Sequence, residues 1–222
     1  NNATALPGIG QSLVIPIVAP IVSLLVTYTA NVIYKFIVEQ KDKNVLKDTF
    51  GAYISPDLID QMYADKQEPK LGGVAGYHTA FFSDIQSFSS FSEVLEPTRM
   101  VSLMNQYLTE MTDTLLEHKG TLDKYIGDAI VAFYGAPVPL ENHEYRACLT
   151  ALEMEKKLVN MRQRWKEEGD WPDLVHNIRH RVGLNSGEMV TGNMGSAMRM
   201  NYTMMGDTVN LAARLEPAAK QY

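Results

Sequence analysis

Asp84 closes the apolar run Thr79-Ala80-Phe81-Phe82-Ser83, and Asp128 sits at the turn inside Lys124-Tyr125-Ile126-Gly127-Asp128-Ala129-Ile130-Val131-Ala132-Phe133. Carboxylates are hard oxygen ligands, and two of them beside strand ends are what a site holding two divalent ions over a polyphosphate requires. Taken singly, Asp84 reads as a helix cap and Asp128 as a turn residue. The flanks favour the joint reading. Directly after Ile85, the stretch Gln86-Ser87-Phe88-Ser89-Ser90-Phe91-Ser92-Glu93 is rich in small polar residues that open a helix with free backbone N–H groups. Such a start, at Ser87, Phe88 and Ser89, suits phosphate. Asn210 and Arg214 lie four apart in a later helical stretch and therefore share one face, where alone they read as an exposed pair.

These side chains need a framework, and from about Val74 onward the pattern alternates between strands and helices. A strand over 79–85 precedes a long amphipathic helix whose Met100, Leu103, Met104, Tyr107, Leu108, Met111, Leu115 and Leu116 share one face, most simply a core face. Residues 120–126 and 129–133 read as two strands joined by a tight turn at Gly127-Asp128, with Asp128 at or beside its tip. A helix over 142–168 carries Leu149, Leu152, Met154, Leu158 and Met161, with Trp165 covering its end. Strands over 178–185, 188–192 and 202–205 follow, and Gly206-Asp207 introduces a last helix over 209–219 that contains Pro217. His118, His143, His176 and His180 have no ligand-like spacing and read as structural or solvated.

The chain has 222 residues, 45% hydrophobic and 21% charged, the balance of a globular protein with one special segment. A net charge of −6 leaves no basic footprint, so no nucleic-acid partner is expected. The single Cys148 excludes an internal disulfide framework and a Cys-cluster zinc site, and suits a reducing compartment. Beginning at Asn1, the sequence reads as a fragment. Residues 13–34 are uncharged, and a helix of about 21 residues spans a hydrocarbon core of about 30 Å. A transmembrane helix is expected there, since membrane helices tolerate residues such as Pro16 and Pro20; the other reading is a core element of an upstream domain. Lys35, Lys41, Lys43 and Lys47 follow this segment and no Lys or Arg precedes it, so the bulk of the chain is expected in the cytoplasm. Residues 1–12 are then an extracytoplasmic or inter-helix flank. Residues 35–71 form a helical connector, with Ser55 as N-cap and Pro56 at the first position of its second helix. Its alternatives are a solvated linker and a dimerising connector, and Leu71-Gly72-Gly73 marks its end.

Phe82-Ser83-Asp84-Ile85, then Lys124-Tyr125-Ile126-Gly127-Asp128, then Asn193-Met194-Gly195-Ser196, then Tyr202-Thr203-Met204-Met205-Gly206-Asp207-Thr208-Val209-Asn210-Leu211-Ala212-Ala213-Arg214 resemble, in order and spacing, the class III nucleotide cyclases. The resemblance covers residues 72–222. The apolar segment and connector further resemble bacterial receptor cyclases in which a sensor, often of the CHASE2 type, precedes the membrane helices. What this implies is an α+β fold: a ferredoxin-like, palm-type antiparallel sheet with helices mainly on one face, after a transmembrane helix and a helical connector. It also implies an inner-membrane location with a cytoplasmic catalytic domain over 72–222. That domain is expected to be C-terminally incomplete, because in the family further strands follow the last helix and one supplies a lysine to the triphosphate.

In chemical terms, the resemblance implies attack of a ribose 3′-oxygen on the α-phosphorus while pyrophosphate leaves. Asp84, Asp128 and the backbone carbonyl of Ile85 are implied ligands of two Mg2+ or Mn2+ ions. Lys124 and Thr203, which alone read as a surface lysine and a strand threonine, are implied to select the base. A lysine only donates and a hydroxyl does either, so they can satisfy adenine N1 and its 6-amino group. In the family, lysine at the first position accompanies adenylate cyclases, whereas guanylate cyclases usually place Glu there and Cys at the second. Many adenylate cyclases have Asp where Thr203 stands. Asn210 is implied near the ribose and Arg214 on the phosphates of the transition state. The metal aspartates of one protomer are implied to face the base-selecting and transition-state residues of the other, which makes a homodimer with two shared sites. The expected function is an adenylate cyclase acting on ATP. Its alternatives are a guanylate cyclase and a catalytically silent, membrane-anchored dimerisation module.

Overall fold

The computed structural model describes residues 14–50, 70–196 and 198–221, and the chain divides into two compact units, Asn1–Pro56 and Asp57–Tyr222. The described residues of the first unit form one helix, α1, over Val14–Phe50. It passes without a break through residue 34, where the sequence predicts the membrane segment to give way to a connector. Neither Gly nor Pro occurs between Pro20 and Phe50, and Lys, Glu and Gln beyond Tyr34 are good helix formers. The span Pro20–Val38 is long and apolar enough to cross a membrane, and its Leu24, Leu25, Val26 and Tyr28 are exposed. Within it, the hydroxyls of Thr27 and Thr29 donate to the carbonyls of Ser23 and Leu25 at 2.8 and 2.9 Å, so these polar atoms are satisfied inside the helix. The flank 1–12 and the connector helix opening at Ser55 and Pro56 lie outside the described residues.

The second unit contains β1 (Gly72–Ile85), α2 (Phe88–Val94), α3 (Pro97–Glu117), β2 (Thr121–Ile126), β3 (Ala129–Tyr134), α4 (His143–Glu168), β4 (His180–Ser196), β5 (Arg199–Met205) and α5 (Asp207–Ala218). Its sheet has the order β2-β3-β1-β4-β5 with every neighbour antiparallel. The core β1-α3-β2-β3-α4-β4, ordered 2-3-1-4, is the ferredoxin-like α+β arrangement that the sequence predicts. Element bounds differ from the sequence reading in places. The strand expected over 79–85 begins earlier, at Gly72, and pairs with β4 from Gly72 to Ile85. The strands over 178–185 and 188–192 are one strand, β4, whose Ser186 and Gly187 pair with Thr79 and His78 instead of turning. Gly192 is needed in that ladder, because a Cβ there would strike the backbone of Gly72.

Strand alternation divides the core between the two faces of the sheet. On one face Phe81, Ile85, Ile130, Ala132 and Tyr134 pack against Leu103, Tyr107, Met111 and Leu115 of α3 and Met154, Leu158, Met161 and Trp165 of α4. The intervening residues Ala80, Val131 and Phe133 pack on the other face with Met189, Met204 and Ala212. The helices are thus not confined to one side: α5 and the folded-back β5 cover the second face, with Tyr202 stacked 6.0 Å from Phe133. Leu116, expected in the core, is exposed, and so is Leu152. Trp165 is fully buried and its indole N–H donates to Gln106 Oε1 at 2.8 Å.

The histidines take structural positions. His118 meets Glu153 at 2.7 Å, and the Thr79 hydroxyl lies 2.7 Å from Nδ1 of the buried His143. His180 is enclosed near Tyr107 and Glu155, and burial, helped by the nearby Arg162 charge, lowers its pKa to about 4. Between that value and the ordinary 6.5 the unfolded chain binds a proton that the native state refuses, so stability falls as pH falls through this window. The loss amounts to about 3 kcal/mol on reaching pH 4. Urea unfolding at pH 7, 5.5 and 4 tests this: His180→Gln is expected to flatten that part of the curve, and an unchanged slope would refute the assignment.

Candidate active site

Asp84 and Asp128 come together through two separate devices. Asp84 lies at the end of β1, and Asp128 follows Gly127, whose φ of 66° lets the chain turn between β2 and β3. The backbone N–H of Ile85 donates to Asp128 Oδ2 at 3.0 Å and ties the turn to the strand end. Burial first, and then the hydrogen bond and charge of Asp84, push the Asp128 carboxyl up to about 7. Beneath them the buried Tyr107 hydroxyl is pushed up by burial and then by both carboxylates. A divalent cation displaces the proton that Asp128 otherwise tends to retain, so this pair of hard carboxylate donors fits Mg2+ or Mn2+. Among the described residues no third His, Cys, Asp or Glu completes a metal cluster around this pair.

Sequence reasoning missed Arg181, the residue that anchors Asp84. It sits directly opposite Asp84 in the β1–β4 ladder, and its Nη2 donates to Asp84 Oδ2 at 2.8 Å while Nε donates to Glu216 Oε1 at 2.6 Å. Arg181 is buried, and its Nη1 has no hydrogen-bond partner among the described residues. A lone arginine inside the strand run Arg181-Val182-Gly183-Leu184 was the available signal. α5 reaches this pair because Gly183 leaves no room for a Cβ beneath Ala212 and Glu216. Ser87, Phe88 and Ser89 follow at once: Ser87 takes φ 61° and its carbonyl accepts from Ser90 N–H at 3.0 Å, as α2 opens at Phe88.

Lys124 and Thr203 also converge, on a residue that sequence reasoning passed over. In the β2–β3 ladder Leu122 pairs with Ala132 and Lys124 with Val131, so Asp123 is the extra residue of a β-bulge. Neighbours in a regular strand point to opposite faces, but the bulge brings Asp123 and Lys124 to one carboxylate–ammonium contact of 3.4 Å. On its other oxygen, Asp123 accepts a hydrogen bond of 2.5 Å from the Thr203 hydroxyl. Burial raises the pKa of Asp123, opposed by the Thr203 hydrogen bond and the Lys124 charge. Asn210 and Arg214 stand apart from both groups. They are exposed on α5, on the side away from Ala212 and Glu216, which meet the sheet. Among the described residues no hydrogen bond or ion pair links either of them to Asp84 or Asp128.

The sequence pattern of the family described as "Adenylate and Guanylate cyclase catalytic domain" matches residues 75–222. The chain belongs to that family. Adenylate cyclase 1 of Rhizobium meliloti is 32% identical to this cyclase over 177 residues, 78% of the chain and 25% of the relative. Among solved structures, the adenylyl cyclase CyaB from P. aeruginosa superposes with a TM-score of 0.62 at 37% identity, covering 67% of this chain and 74% of that one. The guanylyl cyclase Cya2 gives a TM-score of 0.60 at 34% identity over 67% and 73% of the two chains. The cyclase chain spans about a quarter of the Rhizobium relative's length.

Proposed function

We propose that this cyclase converts ATP to 3′,5′-cyclic AMP and pyrophosphate at two sites shared across a homodimer. The observation that carries the choice of ATP is the meeting of Lys124 and Thr203 on Asp123. An ammonium that only donates and a hydroxyl whose proton is already engaged match adenine, which accepts at N1 and donates from its 6-amino group. Asp84, Asp128 and the Ile85 carbonyl would hold two Mg2+ or Mn2+ ions, which when bound neutralise polyphosphate charge and acidify the 3′-hydroxyl. The 3′-oxygen forms the new bond to the α-phosphorus as the bond to pyrophosphate breaks, and the hydroxyl proton passes to solvent water. Arg181 fixes the direction of Asp84, and its free Nη1 is a donor for an anionic oxygen. The start of α2 at Ser87, Phe88 and Ser89 offers backbone N–H groups to the phosphates. From the partner protomer, Asn210 orients the ribose and Arg214 meets the charge that develops on the phosphates. The apolar segment 13–34 anchors the cyclase in the inner membrane, with Lys35, Lys41, Lys43 and Lys47 on the cytoplasmic side.

Product analysis with ATP and GTP, each with Mn2+ and with Mg2+, tests the reading. Cyclic AMP is the expected main product. Cyclic GMP as the main product would replace it with guanylate cyclase activity, the function named for the Cya2 neighbour. Turnover of neither nucleotide would leave the silent module. Full activity in Asp128→Ala would overturn the metal assignment.

A further inference from the structure

We infer that Asp123 sets the hydrogen-bonding polarity of the base pocket, by engaging the only proton of the Thr203 hydroxyl so that Thr203 presents an acceptor and favours a purine amino group over a purine carbonyl. The inference rests on the ATP reading above and adds a positioning residue to it. The geometry is built for this. Asp123 is the extra residue of the β2 bulge, its side chain is only 2% exposed, and its Oδ1 has no hydrogen-bond partner among the described residues. A buried carboxylate in that position is held for a reason other than solubility. Its Oδ2 accepts from Thr203 Oγ1 at 2.5 Å, and Lys124 Nζ stands 3.4 Å from Oδ1.

A threonine hydroxyl has one hydrogen and two lone pairs, and an ionised carboxylate can only accept. Once Thr203 gives its hydrogen to Asp123, only lone pairs remain for a ligand. Adenine places a donor at its 6-position and an acceptor at N1, which match Thr203 and Lys124 respectively. Guanine reverses both, with a carbonyl oxygen at the 6-position and an N–H at N1. Thr203 would then oppose acceptor to acceptor while Lys124 opposes donor to donor. A threonine free to rotate would accept either purine at the 6-position, so the discrimination on that side comes from Asp123 and not from Thr203 itself. Buried groups left facing a like partner make such a pocket reject the wrong ligand strongly.

The test compares kcat/KM for ATP and GTP at pH 8 in the wild-type homodimer, Asp123→Asn, Thr203→Val and the double variant. An asparagine amide can turn to donate to Thr203, which frees the hydroxyl to donate to a guanine oxygen. Asp123→Asn is expected to shift the ATP:GTP ratio toward GTP by about tenfold or more. In the Thr203→Val background the same change is expected to leave the ratio alone. A loss shared equally by both nucleotides would mark Asp123 as merely structural and overturn the inference, as would an unchanged ratio. Should Asp123→Asn not fold, the wild type supplies the answer with purine riboside triphosphate, which keeps N1 and lacks the 6-amino donor. A drop of about tenfold against ATP supports the acceptor role of Thr203, and equal turnover overturns it. Wild-type enzyme that makes cyclic GMP from the outset would defeat the ATP reading, whereas ATP-selective enzyme indifferent to Asp123→Asn would defeat this inference alone.

Discussion

Asp84→Asn and Asn210→Ala cyclases, each nearly inactive alone, are expected to recover activity when mixed. Asp84→Asn removes a charge from the pair that fits the divalent ions, and Asn210→Ala removes a transition-state contact of a kind worth about 10²–10³ in kcat. The recovery follows from how α5 is seated. Ala212 and Glu216 face the chain's own sheet at Gly183 and Arg181, which turns Asn210 and Arg214 outward, away from the chain's own Asp84. On the proposed shared site, this outward pair serves the aspartates of another copy, and two-fold symmetry then repeats the arrangement. In a mixed dimer one site collects both substitutions and the other collects neither. With free exchange of equal amounts, half the dimers are mixed and each has one intact site, so about a quarter of wild-type activity is expected. The measurement is cyclic nucleotide formed by each variant alone and after co-incubation. Mixed samples no more active than the separate variants would show that each site lies within one chain.

The aspartates were legible in the sequence because a strand end and a tight turn have local signatures, an apolar run that stops and a Gly-Asp between two such runs. The succession of strands and helices was legible for the same reason, since alternating apolar periods mark each element separately, whereas the ferredoxin-like order was implied by the resemblance to the nucleotide cyclases. Arg181 was not, because its meaning lies in cross-strand register: only the pairing of Asp84 with Arg181 converts a charged strand residue into the anchor of a carboxylate. Asp123 was hidden by the strand rule itself. Alternation predicts that Asp123 and Lys124 point to opposite faces, and the bulge that overrides it leaves no mark in composition. Likewise the union of 178–185 with 188–192 into β4 depends on a partner strand that holds Ser186 and Gly187 extended, which a single-strand reading takes for a turn. The continuation of α1 to Phe50 had the opposite origin, since local helix preference persists where a change of environment, from apolar to charged, suggests a boundary.

Removing the anchor itself is expected to cost both stability and rate. Arg181 is buried between Asp84 and Glu216, whose side chains are 28% and 13% exposed, so Arg181→Met leaves two carboxylates short of their countercharge. Breaking a buried ion pair from one side typically costs about 3–5 kcal/mol, because the remaining charge stays desolvated. Here the released Asp84 also lies beside Asp128, whose carboxyl burial and Asp84 already push up, so losing the guanidinium adds to the strain on the acidic pair. Activity is expected to fall by about 10²-fold, the usual consequence of a reacting group misplaced by about 1 Å. Glu216→Gln separates the two effects. It leaves the Arg181–Asp84 contact in place while weakening the hold of α5 on the sheet, so it is expected to lower stability more than it lowers the rate. Adding Glu216→Gln to Arg181→Met is expected to return part of the lost stability, since one stranded charge is gone, and none of the rate, since Asp84 is still unheld. Urea unfolding and cyclase turnover on the three variants decide the matter: wild-type turnover in Arg181→Met would show that Asp84 is oriented without it.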